Sequence, residues 1–159
     1  TTTGSGDTTT TPLLQIPSCS SCTAVAEVKP NSWVGMINGT VVCGSVTGAV
    51  KSIEGTAMTF FGPSACSSDT GLVITAYFVA PGLSGDKANL PAQSAAVEYY
   101  DNVTPSNIAA AFFTREFSLA IEHYTQQTGG ATGTFSGRAQ AANGEPVTIT
   151  AGRFHIIFK

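Results

Sequence analysis

The sequence predicts an all-β fold, either an antiparallel β-sandwich or a barrel of about nine strands, with an extended N-terminal arm. Apolar residues recur at every second position, as at Phe117, Leu119 and Ile121, which is the period of a half-buried strand. Short turns rich in Gly, Pro and Asn separate these stretches. No segment sustains a helical period, so strands should make up the whole core.

The predicted strands follow one another with short connections. They lie at residues 33–37, 40–46, 50–61, 72–80, 94–100, 107–114, 116–124, 132–142 and 147–158. Asn38-Gly39 predicts a type I′ hairpin turn between the first two, because both positions of that turn need a positive φ. Residues 50–61 are interpreted as one long strand with a bend at Gly55, and residues 81–91 as the longest loop.

Two of these segments need further argument. Residues 72–80 are apolar on both alternating sets, which predicts a central strand covered on both faces. Residues 107–114 are rich in alanine and could begin a short helix. We favour a strand there, because a turn at Arg115 would let it pair with the run that follows.

The last strand changes parity along its length. Its inward positions are first Val147 and Ile149 and then Phe154 and Ile156, with Gly152 at the change. A β-bulge inserts one extra residue of this kind, and glycine accepts the unusual backbone angles without steric cost. We therefore predict a bulge at Gly152.

The composition sets limits on size and partners. The chain has 159 residues, enough for one domain with a substantial core. Charged residues are only 11% of the chain, against roughly 25% in an average domain. The net charge of -3 and the scattered basic residues argue against nucleic-acid binding. No apolar stretch reaches the ~20 residues that would span a bilayer.

The two ends of the chain differ in character. Residues 1–18 are predicted to form a polar, low-complexity N-terminal arm, and residues 19–159 a single all-β domain. Leu13, Leu14 and Ile16 are the apolar residues of the arm, and we expect them to contact a neighbouring subunit. Because the chain opens on Thr, we expect a trimmed product from which any targeting segment has been removed.

The four cysteines are disulfide candidates. They are Cys19, Cys22, Cys43 and Cys66, and four cysteines allow three pairings, which the sequence leaves open. The CxxC spacing of the first two also raises zinc and thiol-redox interpretations. Zinc would require a second close pair or a nearby histidine, and a redox motif would require a helix beginning at the first cysteine. We therefore interpret all four as structural disulfides of an oxidising compartment.

The C-terminal residues carry a motif in four segments, which are Gly133-Thr134-Phe135-Ser136-Gly137, Asn143-Gly144-Glu145, Val147-Thr148-Ile149-Thr150 and Gly152-Arg153-Phe154. It is similar to the "GTFS…NG…VTITxGxF" ending of uncharacterised cell-surface lipoproteins of Bacteroidota, and Trp33 and the Asn38-Gly39 turn also resemble features of that family. The resemblance implies export, cell-surface display and an all-β sandwich or lipocalin-like barrel, with no established catalytic activity and no catalytic residues to carry across.

The chain's potential acid, base and nucleophile partners do not form a catalytic pattern. His123 follows the inward parity of its strand and should lie near the sheet edge, whereas His155 should face solvent. No Gly-x-Ser-x-Gly elbow accompanies either histidine. Glu116 and Glu122 share one parity and are interpreted as solvated outer positions. We therefore expect no enzyme activity, no cofactor and no metal.

Four aromatic residues admit two interpretations. Tyr99, Tyr100, Phe112 and Phe113 could line a carbohydrate-binding face, because aromatic rings stack on sugars. Adjacent aromatic residues in strands normally divide between core and surface. We favour core packing for this set.

Low charge, exposed strand edges and the arm together predict a non-enzymatic, extracellular structural or interaction protein. We expect it to be displayed on the cell surface and to associate with copies of itself or with a cell-surface assembly. A head-to-tail contact through the arm that does not close would produce a filament. The alternative is a ligand-binding surface module for a glycan or a small apolar molecule, which an apolar cavity of at least ~300 Å³ would support.

Overall fold

In the computed structural model of the chain, the described residues are Leu14 and residues 16–25 and 27–159. They form eleven β-strands and no helix, so this part of the chain has no helical segment that could cross a membrane. The strands are β1 (Ser32–Ile37), β2 (Thr40–Ser45), β3 (Gly48–Lys51), β4 (Ala57–Pro63), β5 (Thr70–Tyr77), β6 (Lys87–Pro91), β7 (Ser94–Asp101), β8 (Ser106–Phe112), β9 (Phe117–Thr125), β10 (Gly130–Ala141) and β11 (Pro146–Ile157).

All eleven strands belong to one antiparallel sheet that is strongly curled. The main path runs β2-β1-β11-β10-β8-β7-β5-β4-β3, and β9 pairs with β10 and with β6 beside this path. The predicted all-β, antiparallel fold class is therefore confirmed. The curl places one face of every strand toward a shared interior and the other face outward.

The two ends of this path meet, because β2 and β3 follow each other along the chain. The Val46 amide donates to the Asn31 carbonyl at 2.8 Å, and the Thr47 amide donates to the Phe61 carbonyl at 2.9 Å. One extended stretch thus pairs with β1 in its first part and with β4 in its second part. An isolated bridge between Gly44 and Ser64 marks the point of closest approach.

Glycine makes this crossing possible. A Cβ atom at Gly62 would collide with the Ser45 carbonyl, and a Cβ atom at Gly44 would collide with the Pro63 carbonyl and the Trp33 indole. Neither collision involves a flexible side-chain end that could move aside cheaply. The two backbones can therefore approach only where no side chain stands between them.

The interior of the curled sheet is filled by apolar side chains. Phe60 and Phe154 pack with ring centroids 4.9 Å apart, and Trp33 meets Tyr99 edge to face at 6.4 Å. The Trp33 indole N–H donates to the Ser45 carbonyl at 3.1 Å, which satisfies the one polar atom of that buried ring. No polar or charged residue of the described part is buried.

The strand count was predicted too low, for two reasons. The stretch 50–61 is interrupted by a turn in which the Gly55 amide donates to the Ser52 carbonyl, so it forms β3 and β4 and not one bent strand. The predicted loop 81–91 contains β6. The Asn38-Gly39 turn is confirmed, with φ angles of 49° and 84°, and so is a strand in place of a helix at residues 107–114, where β8 lies.

The prediction that residues 72–80 are covered on both faces was wrong. Leu72, Ile74 and Ala76 are buried, but Tyr77 and Val79 on the opposite face are 45% and 65% exposed. The sheet has one layer, so only its concave side is covered.

The predicted bulge in the last strand is present, but its positive φ and its need for a residue without a side chain belong to two neighbouring residues. Phe135 pairs with Gly152 and Gly137 pairs with Ile149, so β11 carries the extra residue. The positive φ of 53° belongs to Ala151. Glycine is needed at position 152 for space, because a Cβ atom there would collide with the backbone and ring of Phe135.

We predict that Gly62→Ala lowers the free energy of unfolding by about 3 kcal/mol, because the added methyl group forces the crossing backbones apart. Gly35→Ala is the matched control: this strand glycine is also buried, but its Cβ would lie 3.5 Å from the Phe135 ring, an ordinary contact. We expect the control to change stability by less than about 1 kcal/mol. Urea denaturation measures both, and equal losses would contradict the role given to the crossing.

Candidate functional site

The outer surface carries a cleft of about 460 Å³ over β9, β10 and β11, which we call the outer cleft. Its floor is formed by outward-facing residues of these three strands, and residues 27–30, just before β1, form its rim. Both histidines of the chain line it. The lining residues are Glu27, Val28, Pro30, Glu122, His123, Thr132, Gly133, Arg153, Phe154 and His155.

A bulge in β9 brings Glu122 and His123 to the cleft together. His123 pairs with Thr132 and Ile121 pairs with Gly133, so Glu122 is the extra residue between them. Two consecutive side chains therefore face outward, and the next residue, Tyr124, is buried. The prediction that His123 points inward was wrong. The bulge lies directly before His123 and reverses the alternation of inward and outward side chains from that point on.

The bulge in β11 has the same effect on the neighbouring strand. After it, Phe154 and Ile156 are buried, and Arg153 and His155 face the cleft. Thr132 pairs with His123 on one side and with His155 on the other. The two histidines therefore flank a small hydroxyl residue, with their backbones about 10 Å apart, or two strand spacings.

An ion pair connects the outer strands of the cleft floor. Arg153 Nη1 lies 3.5 Å from Glu122 Oε1 and spans β10, which lies between them. Their side chains are 32% and 43% exposed, so this pair is partly shielded from water. A second pair, Arg138 with Glu116, also connects β10 to the region of β9, but at 3.8 Å and with both side chains about two-thirds exposed.

Disulfides hold the segment that leads to the rim of the cleft. The bonds are Cys19–Cys66 and Cys22–Cys43, and no described cysteine is free, which confirms the prediction of structural disulfides. Such bonds are compatible with an extracellular or otherwise oxidising location. Cys22 is buried beside the sheet, outside the central core.

The described arm residues and the four aromatic residues that the sequence singled out lie away from the outer cleft. Leu14 and Ile16 pack against the chain's own core, and the Leu14 carbonyl accepts a hydrogen bond from Asn38 Nδ2 at 3.1 Å. Leu13 and residues 1–12 lie outside the described residues, so an intersubunit arm stays a prediction. Of the four candidate sugar-stacking aromatics, Tyr99 is buried, Tyr100 is half-buried, and Phe112 and Phe113 are exposed.

The exposed aromatics belong to a wider surface on the outer side of β3, β4, β5, β7 and β8, which we call the outer apolar face. Tyr77 and Phe113 pack with ring centroids 5.4 Å apart, and the hydroxyls of Thr59 and Thr75 share a hydrogen bond of 3.0 Å. Glu98, paired in register with Val73 and Ala110, is the one charged residue among these positions. The face is formed by Val50, Thr59, Phe61, Val73, Thr75, Tyr77, Ser94, Glu98, Ala110, Phe112 and Phe113.

Comparison of the chain with protein-family models, with curated proteins and with solved structures found no match. The resemblance to Bacteroidota surface lipoproteins therefore stays a prediction. Among the described residues, no group of three or more His, Cys, Asp or Glu side chains is placed to hold a metal ion. The function has to be argued from the two surfaces themselves.

Sequence reasoning missed Arg153, Thr132 and the rim as parts of a site. A signal for one bulge was present: the apolar positions of β9 run 117, 119, 121 and then 124, a change of parity like the one recognised at Gly152. This change of parity in β9 would have placed Glu122 and His123 on one face of the sheet. The approach of residues 27–30 has no such signal, because it depends on how the disulfides route the chain.

We predict that the two Glu–Arg pairs differ in coupling energy. A double-mutant cycle with Glu122→Gln and Arg153→Gln should give about 0.5–1 kcal/mol, because that pair is partly shielded from water. The same cycle on Glu116 and Arg138, which are more exposed, should give about 0.2 kcal/mol or less. Urea denaturation of the single and double variants measures both, and equal couplings would show that the floor of the cleft is no better ordered than open surface.

Proposed function

We propose that this chain is a non-enzymatic, extracellular interaction domain, displayed on the cell surface, that associates with copies of itself through the outer apolar face. The observation that carries the proposal is the composition of that face. Five adjacent strands present aromatic, aliphatic and hydroxyl side chains to solvent, with a single carboxylate at Glu98. Exposed apolar patches of this extent are typical of interaction sites.

A second copy is the partner that matches this face best. Two such faces can be buried against each other with one carboxylate, Glu98, on each side to accommodate. Their threonine hydroxyls can both donate and accept hydrogen bonds, so they satisfy themselves or each other. A strongly charged partner would find no complementary charges here.

The size of the face limits the strength of this contact. Five strands about 4.8 Å apart, with about six residues each, give a face of roughly 400 Å². A standard stable interface covers roughly 800 Å² on each partner. We therefore expect a reversible association with a Kd in the range of about 10 µM to 1 mM.

The N-terminal arm offers a second contact between copies. Leu14 and Ile16 pack against the core of their own chain, and the Asn38 amide binds the Leu14 carbonyl. The arm of a neighbouring copy can make the same contacts at little cost, since an exchanged element loses none of its interactions. A head-to-tail exchange of this kind, repeated from copy to copy, would produce a filament.

We predict that Phe112→Asp weakens self-association at least tenfold, because it replaces the most exposed aromatic side chain of the face with a charge. Ser118→Asp is the matched control, since it adds the same charge at an exposed position of β9, away from the face. Sedimentation velocity from about 10 µM to about 1 mM measures the association. A wild-type chain that stays monomeric at the highest concentration, or a Phe112→Asp variant that associates as strongly as the control, would overturn the proposal.

We predict that deletion of residues 1–16 removes assemblies larger than the dimer, because Leu14 and Ile16 are lost. Deletion of residues 1–12 is the control, since it keeps all three apolar arm residues. Negative-stain electron microscopy and light scattering compare the two variants. If the longer deletion leaves the assemblies unchanged, the arm has no role between subunits, and the dimer contact has to be judged from the Phe112 variant alone.

A further inference from the structure

We propose that the outer cleft is a binding site for a neutral carbohydrate, a short saccharide segment with vicinal hydroxyl groups. The cleft lies over β9, β10 and β11, apart from the outer apolar face, so this site does not depend on self-association. It differs from a lipocalin-like site, because the interior of the curled sheet is filled by its own side chains.

The first step of the argument is the local backbone. Two bulges, one at Glu122 in β9 and one at residues 150–152 in β11, each reverse the parity of their strand. Together they turn Glu122, His123, Arg153 and His155 toward the same outer surface. Bulges disrupt the hydrogen-bond ladder and are concentrated next to functional sites, where they redirect side chains. Two bulges that collect both histidines of the chain on one surface are the mark of a site.

The second step is the chemistry of the collected groups. The Glu122 carboxylate accepts hydrogen bonds, the Arg153 guanidinium donates them, and the Thr132 hydroxyl does both. The imidazole rings of His123 and His155 add ring nitrogens that can take part in hydrogen bonds. A sugar hydroxyl also donates and accepts, and a vicinal diol can engage the two oxygens of a carboxylate or the two nitrogens of a guanidinium together.

The rim of the cleft supplies apolar side chains that a sugar ring can contact. Val28 and Pro30 face the cleft opposite the polar floor, and the C–H surface of a pyranose ring can pack on such side chains. Because Cys22 is held to Cys43 by a disulfide, the segment that leads to the rim is anchored before any ligand arrives. Ordering the rim therefore costs less on binding than ordering a free loop.

The same contacts disfavour the other small ligands. An anion would face the carboxylates of Glu27 and Glu122, and the one guanidinium of the cleft is already paired. A metal ion would find two histidines with Thr132 between them, and no set of three ligand side chains is placed for it among the described residues. A neutral polyol leaves the Arg153–Glu122 pair intact and adds hydrogen bonds to it.

The size of the cleft sets the expected affinity. Its 460 Å³ lies in the lower part of the roughly 300–1,000 Å³ range of ligand sites, enough for a short segment. It is a surface cleft and not an enclosed cavity, so much of a bound sugar would stay in contact with water. We expect a Kd of roughly 0.1–10 mM for a disaccharide.

The test is an NMR titration of the ¹⁵N-labelled full chain with four neutral disaccharides: maltose, cellobiose, lactose and N,N′-diacetylchitobiose. Sialyllactose and zinc chloride are titrated in parallel as anionic and metal probes. We expect at least one neutral disaccharide to give saturable shifts centred on the amides of Glu122, His123, Thr132 and His155. Glu122→Gln should weaken this binding at least fivefold, because a carboxylate is replaced by an amide that cannot accept at both atoms.

Glu116→Gln is the matched control, because it makes the same substitution in the other Glu–Arg pair of the sheet, and it should leave the affinity unchanged. His123→Ala is a second variant at an exposed position and should also weaken binding at least fivefold. The proposal is overturned if no neutral disaccharide gives saturable shifts up to about 50 mM, well above the expected range. It is also overturned if the shifts centre on the outer apolar face, if sialyllactose or zinc binds and the neutral sugars do not, or if both cleft variants bind as the wild type does.

Discussion

The crossing of two backbones at Gly44 and Gly62 is the constraint on which the rest of the structure depends. The sheet can return on itself only because neither position carries a side chain that would separate the strands. One stretch of chain then serves both ends of the sheet, pairing first with β1 and then with β4. The interior closes over an apolar core, and the disulfides form beside the crossing, where Cys43 lies on β2 and Cys66 follows β4.

The general architecture was predictable because the two-residue period is a local property. A strand half-covered by a core must alternate, whichever strand lies beside it, and the Asn38-Gly39 turn depends only on its own two residues. The elements that were not predicted also have identifiable physical causes. In β6, Asn89 has a positive φ of 53° and interrupts the pairing with β9, so this short edge strand shows no clear alternation. The turn before Gly55 was predicted only in part: the glycine indicated a bend, but not that the strand ends there and a new one begins.

The outer cleft was much less predictable than the fold. Its residues come from positions 27–30, 122–123, 132 and 153–155, and their approach depends on the order of strands in the sheet. A change of parity is the signal that the sequence carries, and it is present in β9 as well as in β11, although only the one in β11 enters the prediction. His123 was misplaced for that reason alone: one inserted residue reverses every later side chain of a strand. The outer apolar face is hard to predict for a different reason: a strand that is apolar at all its positions indicates a second covering layer as readily as an exposed apolar surface.

The two disulfides also determine how the domain would carry mechanical load. A pull on the N-terminal arm first meets the contacts of Leu14 and Ile16 with the core. Once these are released it reaches Cys19 and Cys22, and covalent bonds pass it directly to Cys66 and Cys43. The residues between 22 and 43, including β1, are bypassed, so they are not peeled from the sheet one hydrogen bond at a time. Tension would instead act on the glycine crossing, where the two ends of the sheet meet. A domain tethered by its N-terminus could thus withstand shear without losing the surfaces that make contact with its surroundings.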